Sequence, residues 1–195
     1  VRENVNSILA TYFNKNNFIE TAAKAKFLLI AAHGLVNDEQ PNLGGLVFFP
    51  TQKTIQNVAE KDGKNKENES RNIDAKTAKK AINDDSILSM KEAYLLNLQA
   101  DLVVLSACES GIGKLAKGEG MMAINRGFLH SGASNVIFTL FKVYDKPSSE
   151  LIRLLFTEIL GGKTYAEALQ AAKLAFLKQK MADPKLWTSY ILIGN

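Results

Sequence analysis

Two short, uninterrupted apolar runs, Phe27-Leu28-Leu29-Ile30-Ala31-Ala32 and Leu102-Val103-Val104-Leu105, constrain this chain more than any other feature. A strand with one face in water alternates apolar and polar residues. One without alternation is buried on both faces, as in parallel sheets covered by helices on each side. Further strands are read at Gly44 to Phe49, which stops at Pro50, at Asn135 to Phe141 and at Tyr190 to Gly194. Apolar residues at three- to four-residue spacing between them predict one or two short helices in Ile8 to Ala25, and helices at Met121 to His130 and Ser148 to Leu160. Gly132 and the pair Gly161-Gly162 are the stop signals of the last two. Ser89-x-x-Glu92 and Thr164-x-x-Glu167 have the spacing of capping boxes, in which hydroxyl and carboxylate each satisfy a backbone N–H; the second opens a helix to about Met181. Strands alternating with amphipathic helices make the expected fold α/β, a three-layer α/β/α sandwich on a mostly parallel central sheet.

With 195 residues, 46% of them apolar and 23% charged, the composition is that of one globular domain, 1–195, and excludes disordered and fibrous classes. A net charge of +4 is too small to imply nucleic acid. No apolar run approaches the roughly 20 residues that cross a bilayer, and no signal region opens the chain, so the reading is cytoplasmic with no membrane partner. One cysteine and two histidines exclude a disulfide framework and a Cys-rich zinc site, so no metal is expected. A start at Val1 suggests a piece of a longer protein. Residues 59–86 hold 7 basic and 7 acidic residues and no aromatic, a charged insertion with one helix expected near Ala75 to Ile82.

In an open parallel sheet, functional groups collect beyond the carboxyl ends of the strands. Here one strand runs into His33-Gly34 and another into Cys108. A thiol attacks only as thiolate, which a nearby imidazole provides by taking its proton. The backbone N–H groups of Gly34 and Cys108 could then bind an oxyanion. Neither residue demands this reading alone, because Cys is often a small buried hydrophobe and His beside Gly often a turn residue. His130, at a helix end, is read as structural, its charge meeting the negative end of the dipole. The glycines from Gly111 to Gly120 match neither common phosphate-binding spacing, and Glu119 would repel an anion.

His33-Gly34, Leu102-Val103-Val104-Leu105-Ser106-Ala107-Cys108-Glu109-Ser110-Gly111, Lys117-Gly118-Glu119-Gly120 and Asn125-Arg126-Gly127-Phe128-Leu129-His130-Ser131-Gly132-Ala133 together resemble the CHAT family of caspase-like and separase-like cysteine peptidases. The resemblance runs from about Ala10-Thr11 to Trp187–Gly194, and outside the charged insertion it covers nearly the whole chain. It implies a caspase-type fold, His33 as general base and Cys108 as nucleophile, with Gly34 and Cys108 donating to the oxyanion. No cofactor is implied. Asp145, closing Leu140-Phe141-Lys142-Val143-Tyr144-Asp145, stands where separase-like enzymes receive a basic P1 side chain. A buried carboxylate there would pair bidentately with arginine; the alternative is an ordinary helix N-terminal aspartate. Phe141 occupies a position at which the family commonly has Trp. The resemblance further implies a regulated bacterial effector with a protein substrate and an upstream module of TPR or other helical repeats. From their position between the His and Cys strands, residues 59–86 are read as a surface insertion or, alternatively, as a regulatory or self-cleaved loop. Because a fold does not secure its chemistry, a catalytically silent interaction module of the same fold stands as the alternative to an endopeptidase.

Overall fold

The computed structural model describes residues 14–35, 45–50, 86–106, 108–109, 120–141, 143–178 and 183–194. The expected helix near Ala75 to Ile82, nearly all of the charged insertion, and the glycine loop up to Glu119 lie outside the described residues. So does the part of the first predicted helical region that precedes Asn14.

Five helices and one sheet among the described residues follow the sequence reading. Strands β1 (Phe27–Ile30), β5 (Leu102–Leu105) and β7 (Asn135–Thr139) run parallel in the spatial order β1-β5-β7, and β8 (Tyr190–Gly194) closes that order antiparallel to β7. Every residue of β5 and β7 is buried, which is why their sequences carry no alternation. Side chains nevertheless leave to alternate faces. Val103 and Leu105 join Val136 and Phe138 on one side, against Phe18 and Ala22 of α1 (Lys15–Ala22), Ala93 of α2 (Met90–Leu95), and Ile124 and Phe128 of α3 (Gly120–His130). On the other side Leu102, Val104 and Ile137 meet Leu151 and Leu155 of α4 (Asp145–Leu160), with Ala168, Ala172 and Phe176 of α5 (Tyr165–Lys178). The described elements thus form a sheet between two helical layers, a mostly parallel α/β/α arrangement as expected.

Several boundaries differ from the sequence reading, β3 (Gly45–Val47) among them, which ends at Val47 rather than Phe49. Helix α4 begins at Asp145 rather than Ser148, because Pro147 in the first turn lacks an N–H that would have had no partner there. The strand expected to reach Phe141 ends at Thr139. The run Phe27 to Ala32 is not one strand: β1 stops at Ile30, and a second strand, β2 (His33–Leu35), starts after Ala31-Ala32.

Local chemistry sets several of the other ends. Both capping boxes are formed: Ser89 N–H donates to Glu92 at 2.8 Å while Glu92 N–H donates to the Ser89 hydroxyl at 3.3 Å, and Thr164 and Glu167 repeat the pattern. Asn14 caps α1, its side chain accepting from Asn17 N–H at 3.0 Å. After α3, Gly132 turns with φ of 116°, and a side chain there would run into the carbonyl of Leu98, so only glycine fits.

Glu92 does a second job. The buried Lys15 ammonium donates to its carboxylate at 2.8 Å and to the Ile87 carbonyl at 3.2 Å, tying α1 to α2 and to the short strand before it. Burial pushes the Glu92 carboxyl up, but the hydrogen bonds from Lys15 and Ser89 outweigh it and hold the group below the usual glutamate value. A carboxyl depressed on folding contributes stability that is complete above its unfolded pKa, about 4.3, and is lost as pH falls through the lower folded value. Thermal melts of the parent and Glu92→Gln should therefore show the parent more stable at neutral pH and the gap narrowing below about pH 4.3. A gap that persists unchanged down to pH 3 contradicts this coupling.

Candidate active site

The parallel pairing of β1 with β5 has a fixed register, Phe27 with Leu102 through Ile30 with Leu105, each pair 75 positions apart. The ladder outlasts the strands, since Ser106 N–H donates to the Ile30 carbonyl at 2.9 Å. Beyond these strands the pairing resumes. Strand β2 pairs in parallel with β6 (Cys108–Glu109) in the same offset, His33 with Cys108 and Gly34 with Glu109. The backbones of the two sequence-predicted residues are therefore direct neighbours across a strand pair, where strands lie about 4.8 Å apart.

His33 lies just beyond the carboxyl end of β1, and there it also opens a short strand held on both sides. Strand β3 (Gly45–Val47) pairs antiparallel with β2, His33 opposite Val47 and Gly34 opposite Leu46, and β4 (Ile87–Ser89) adds to β3. Leu46 and Leu88 are fully buried in the same core as β1 and β5, so this extension is anchored rather than free. Gly45 is needed at its tip because a side chain there would strike the carbonyl of Leu88. The extension reaches α2 through Ser89, its last residue and the N-cap of that helix. Residue pattern revealed β3 but not its pairing; β4 was missed, although apolar Ile87-Leu88 ahead of the capping box was a usable signal.

Because β1, β5 and β7 are parallel, their carboxyl ends share one edge of the sheet, and the chain leaving β7 toward Asp145 emerges there beside the strand that leads to Cys108. Asp145 is exposed in the first turn of α4, the place of a helix N-terminal aspartate rather than of a buried carboxylate. The reason is local: α4 starts earlier than its apolar pattern suggests, so Asp145 falls in the solvent-facing first turn, where the helix dipole favours a negative charge. His130 lies at the end of α3, exposed and with its ring 5.1 Å from that of Tyr94, which accords with a structural role. Among the described residues no group of three or more His, Cys, Asp or Glu could hold a metal ion, and no helix is long and apolar enough to cross a membrane.

The sequence model of the CHAT domain matches residues 2–195. This chain belongs to the CHAT domain family. That family is related to the caspase-like peptidases. The chain is also similar to tetratricopeptide repeat protein 28 of Mus musculus and to its Homo sapiens counterpart, 28% identical to each over 110 residues. Those matches cover 56% of this chain and 4% of each relative, so the chain spans only a small part of the curated proteins it matches.

The in-register pairing has a direct test that needs no substrate. Cys108 is the only cysteine, so His33→Cys should close an intrachain disulfide with it on mild oxidation, the Cα separation of paired strands lying in the bridgeable range of about 4.4–6.8 Å. Mass spectrometry of the linked peptides would detect the bridge. Failure to form it in folded protein would contradict the register.

Proposed function

We propose that this CHAT domain is a cysteine endopeptidase domain that cleaves protein substrates after a basic residue. The observation that carries the reading is the backbone pairing of His33 with Cys108 at the carboxyl edge of the sheet. Residues in register on neighbouring strands share a face, which is the condition for an imidazole to reach a thiol. Family membership independently supports a peptidase.

In this mechanism the His33 imidazole takes the Cys108 thiol proton. The thiolate adds to the scissile carbonyl, and backbone N–H groups at this strand end, that of Cys108 among them, would hold the oxyanion. Collapse expels the amine, which leaves with the proton returned by His33, and forms a thioester. Water, deprotonated by His33, then hydrolyses the thioester, releasing the carboxylic acid and restoring the thiol. Asp145 at the same edge would attract an arginine or lysine side chain of the substrate. Its exposure makes it a guide for that charge rather than a buried clamp. The tetratricopeptide repeats named in the similar proteins support an upstream helical-repeat module that presents or gates the substrate.

Fluorogenic peptides with Arg, Lys, Asp or Leu before the scissile bond test the assignment. Arginyl turnover should vanish in Cys108→Ala and fall by about a hundredfold or more in His33→Ala. Peptides left intact by the parent under every condition, including with its full-length chain, would instead assign the domain to interaction without catalysis. Separately, Asp145→Ala should lower kcat/KM on the arginyl peptide by about two- to fivefold while sparing a neutral one, the loss of one exposed charge pair. Equal effects on both peptides would remove Asp145 from substrate selection.

A further inference from the structure

Strand β1 carries the unbroken apolar sequence of an interior strand, yet among the described residues it pairs on one side only, with β5. Its register sets Phe27 beside Leu102 and Leu29 beside Val104, and residues opposite each other on neighbouring strands share a face. Phe27 and Leu29 therefore lie on the side where Leu102 and Val104 are covered by α4 and α5. Over β1 that cover stops. Phe27 is 48% exposed and Leu29 50%, whereas Ile30, on the opposite face, is buried in the core that includes α1. Tyr165, the first residue of α5, meets the Phe27 ring edge-on, at 6.5 Å between centroids and 83° between planes. At the amino end of the two strands Lys26 and Asp101 stand 4.0 Å apart, both at least half exposed, a polar rim to an apolar patch.

Apolar residues scattered singly on a surface need no explanation; two large ones in line on one face of an edge strand do. A further strand beside β1 would satisfy its outer backbone groups but leave this face in water. A helix lying in the layer of α4 and α5, next to Tyr165, covers it. The patch is too small for a free partner or a second copy of the chain, since a stable contact between separate molecules buries on the order of 1,200 Å². A tethered partner has no such requirement. A short flexible linker holds it at an effective concentration on the order of millimolar, where a weak contact is enough.

We propose that Phe27 and Leu29, with the Tyr165 ring beside them, form the docking face for an amphipathic helix of the preceding helical-repeat module, its apolar ridge at i, i+3 and i+4 seated on β1. The docked helix then lies on the strand that runs into His33. This inference rests on the upstream module of the proposed function and is independent of the catalytic pair.

The test is made in the full-length chain, by maleimide labelling of Leu29→Cys and, as a control, of Leu160→Cys, a position 83% exposed at the far end of α4. Mass spectrometry of the modified peptide reads each rate. A contact with an intrinsic dissociation constant of about 0.1 mM at an effective concentration of about 1 mM is closed roughly ten times as often as open, so Leu29→Cys should label about tenfold more slowly than the control. Adding Phe27→Thr, which keeps a strand-forming side chain, should return the rate toward the control. A benzophenone maleimide on Leu29→Cys, photolysed, then identifies the neighbour without any change at Phe27, and the expected crosslink is to a repeat helix of the same molecule. Labelling at the control rate, slow labelling that survives Phe27→Thr, or crosslinks confined to a second copy overturn the docking face and leave the upstream module standing. Crosslinks to a preceding segment that holds no helical repeat overturn the module and the docked helix together. Turnover enters none of these measurements, so the catalytic reading is decided separately by the peptides.

Discussion

The parallel pairing of β1 with β5 is the constraint on which the rest depends. A ladder of backbone hydrogen bonds to β5, a strand buried on both faces, cannot slip by one residue without turning buried apolar side chains to the wrong face. Val103 and Leu105 would exchange sides with Leu102 and Val104, and both cores would be lost. The register is thus set by hydrophobic burial along the strands. Its consequence appears beyond their ends, where the same offset brings His33 opposite Cys108.

What lies past that ladder needs support of a different kind. Strand β2 has only three residues and β6 only two, too few to stand alone. They are held because β3 and β4 extend the pairing from His33 outward, with Leu46 and Leu88 sunk into the main core. The capping box at Ser89 then turns the chain directly into α2, and Glu92 of that box carries the Lys15 contact to α1. A polar cap, an ion pair and a three-stranded extension form one continuous brace behind the candidate site. On the opposite helical layer, burial holds the Lys173 ammonium below the usual lysine value as it donates to the Tyr190 carbonyl at 2.7 Å. The link joins α5 to β8, which follows directly on Ser189, the residue that restrains the chain leaving β7.

Much of this fold was legible in the residues. Unbroken apolar runs announced strands, buried throughout in β5 but not in β1, where Phe27 and Leu29 are exposed, and apolar spacing with glycine stops announced the helices. The two S/T-x-x-E patterns announced helix starts that formed as read, since a cap depends on residues three positions apart and on little else. Misjudged boundaries had equally physical causes. Pro147 was tolerated in a first turn, Ala31-Ala32 interrupted an apolar run without any polar signal, and β4 carried too few residues to show a period. Of the two readings left open for Asp145, buried carboxylate or helix N-terminal aspartate, its exposed place in the first turn matches the second, because its surroundings follow from where α4 starts.

The sequence by itself determined the alternation of buried strands with amphipathic helices, and with it the layered α/β class, because burial pattern and capping are short-range properties written in neighbouring residues. It also marked His33 and Cys108 as residues at the ends of such strands. Only the tertiary structure decided that these two are cross-strand partners, that β3 and β4 brace them, and that Ser189 grips Phe141 from 48 positions away. Contacts between distant positions depend on which strands become neighbours and in what register, and that is settled by the packing of the whole core.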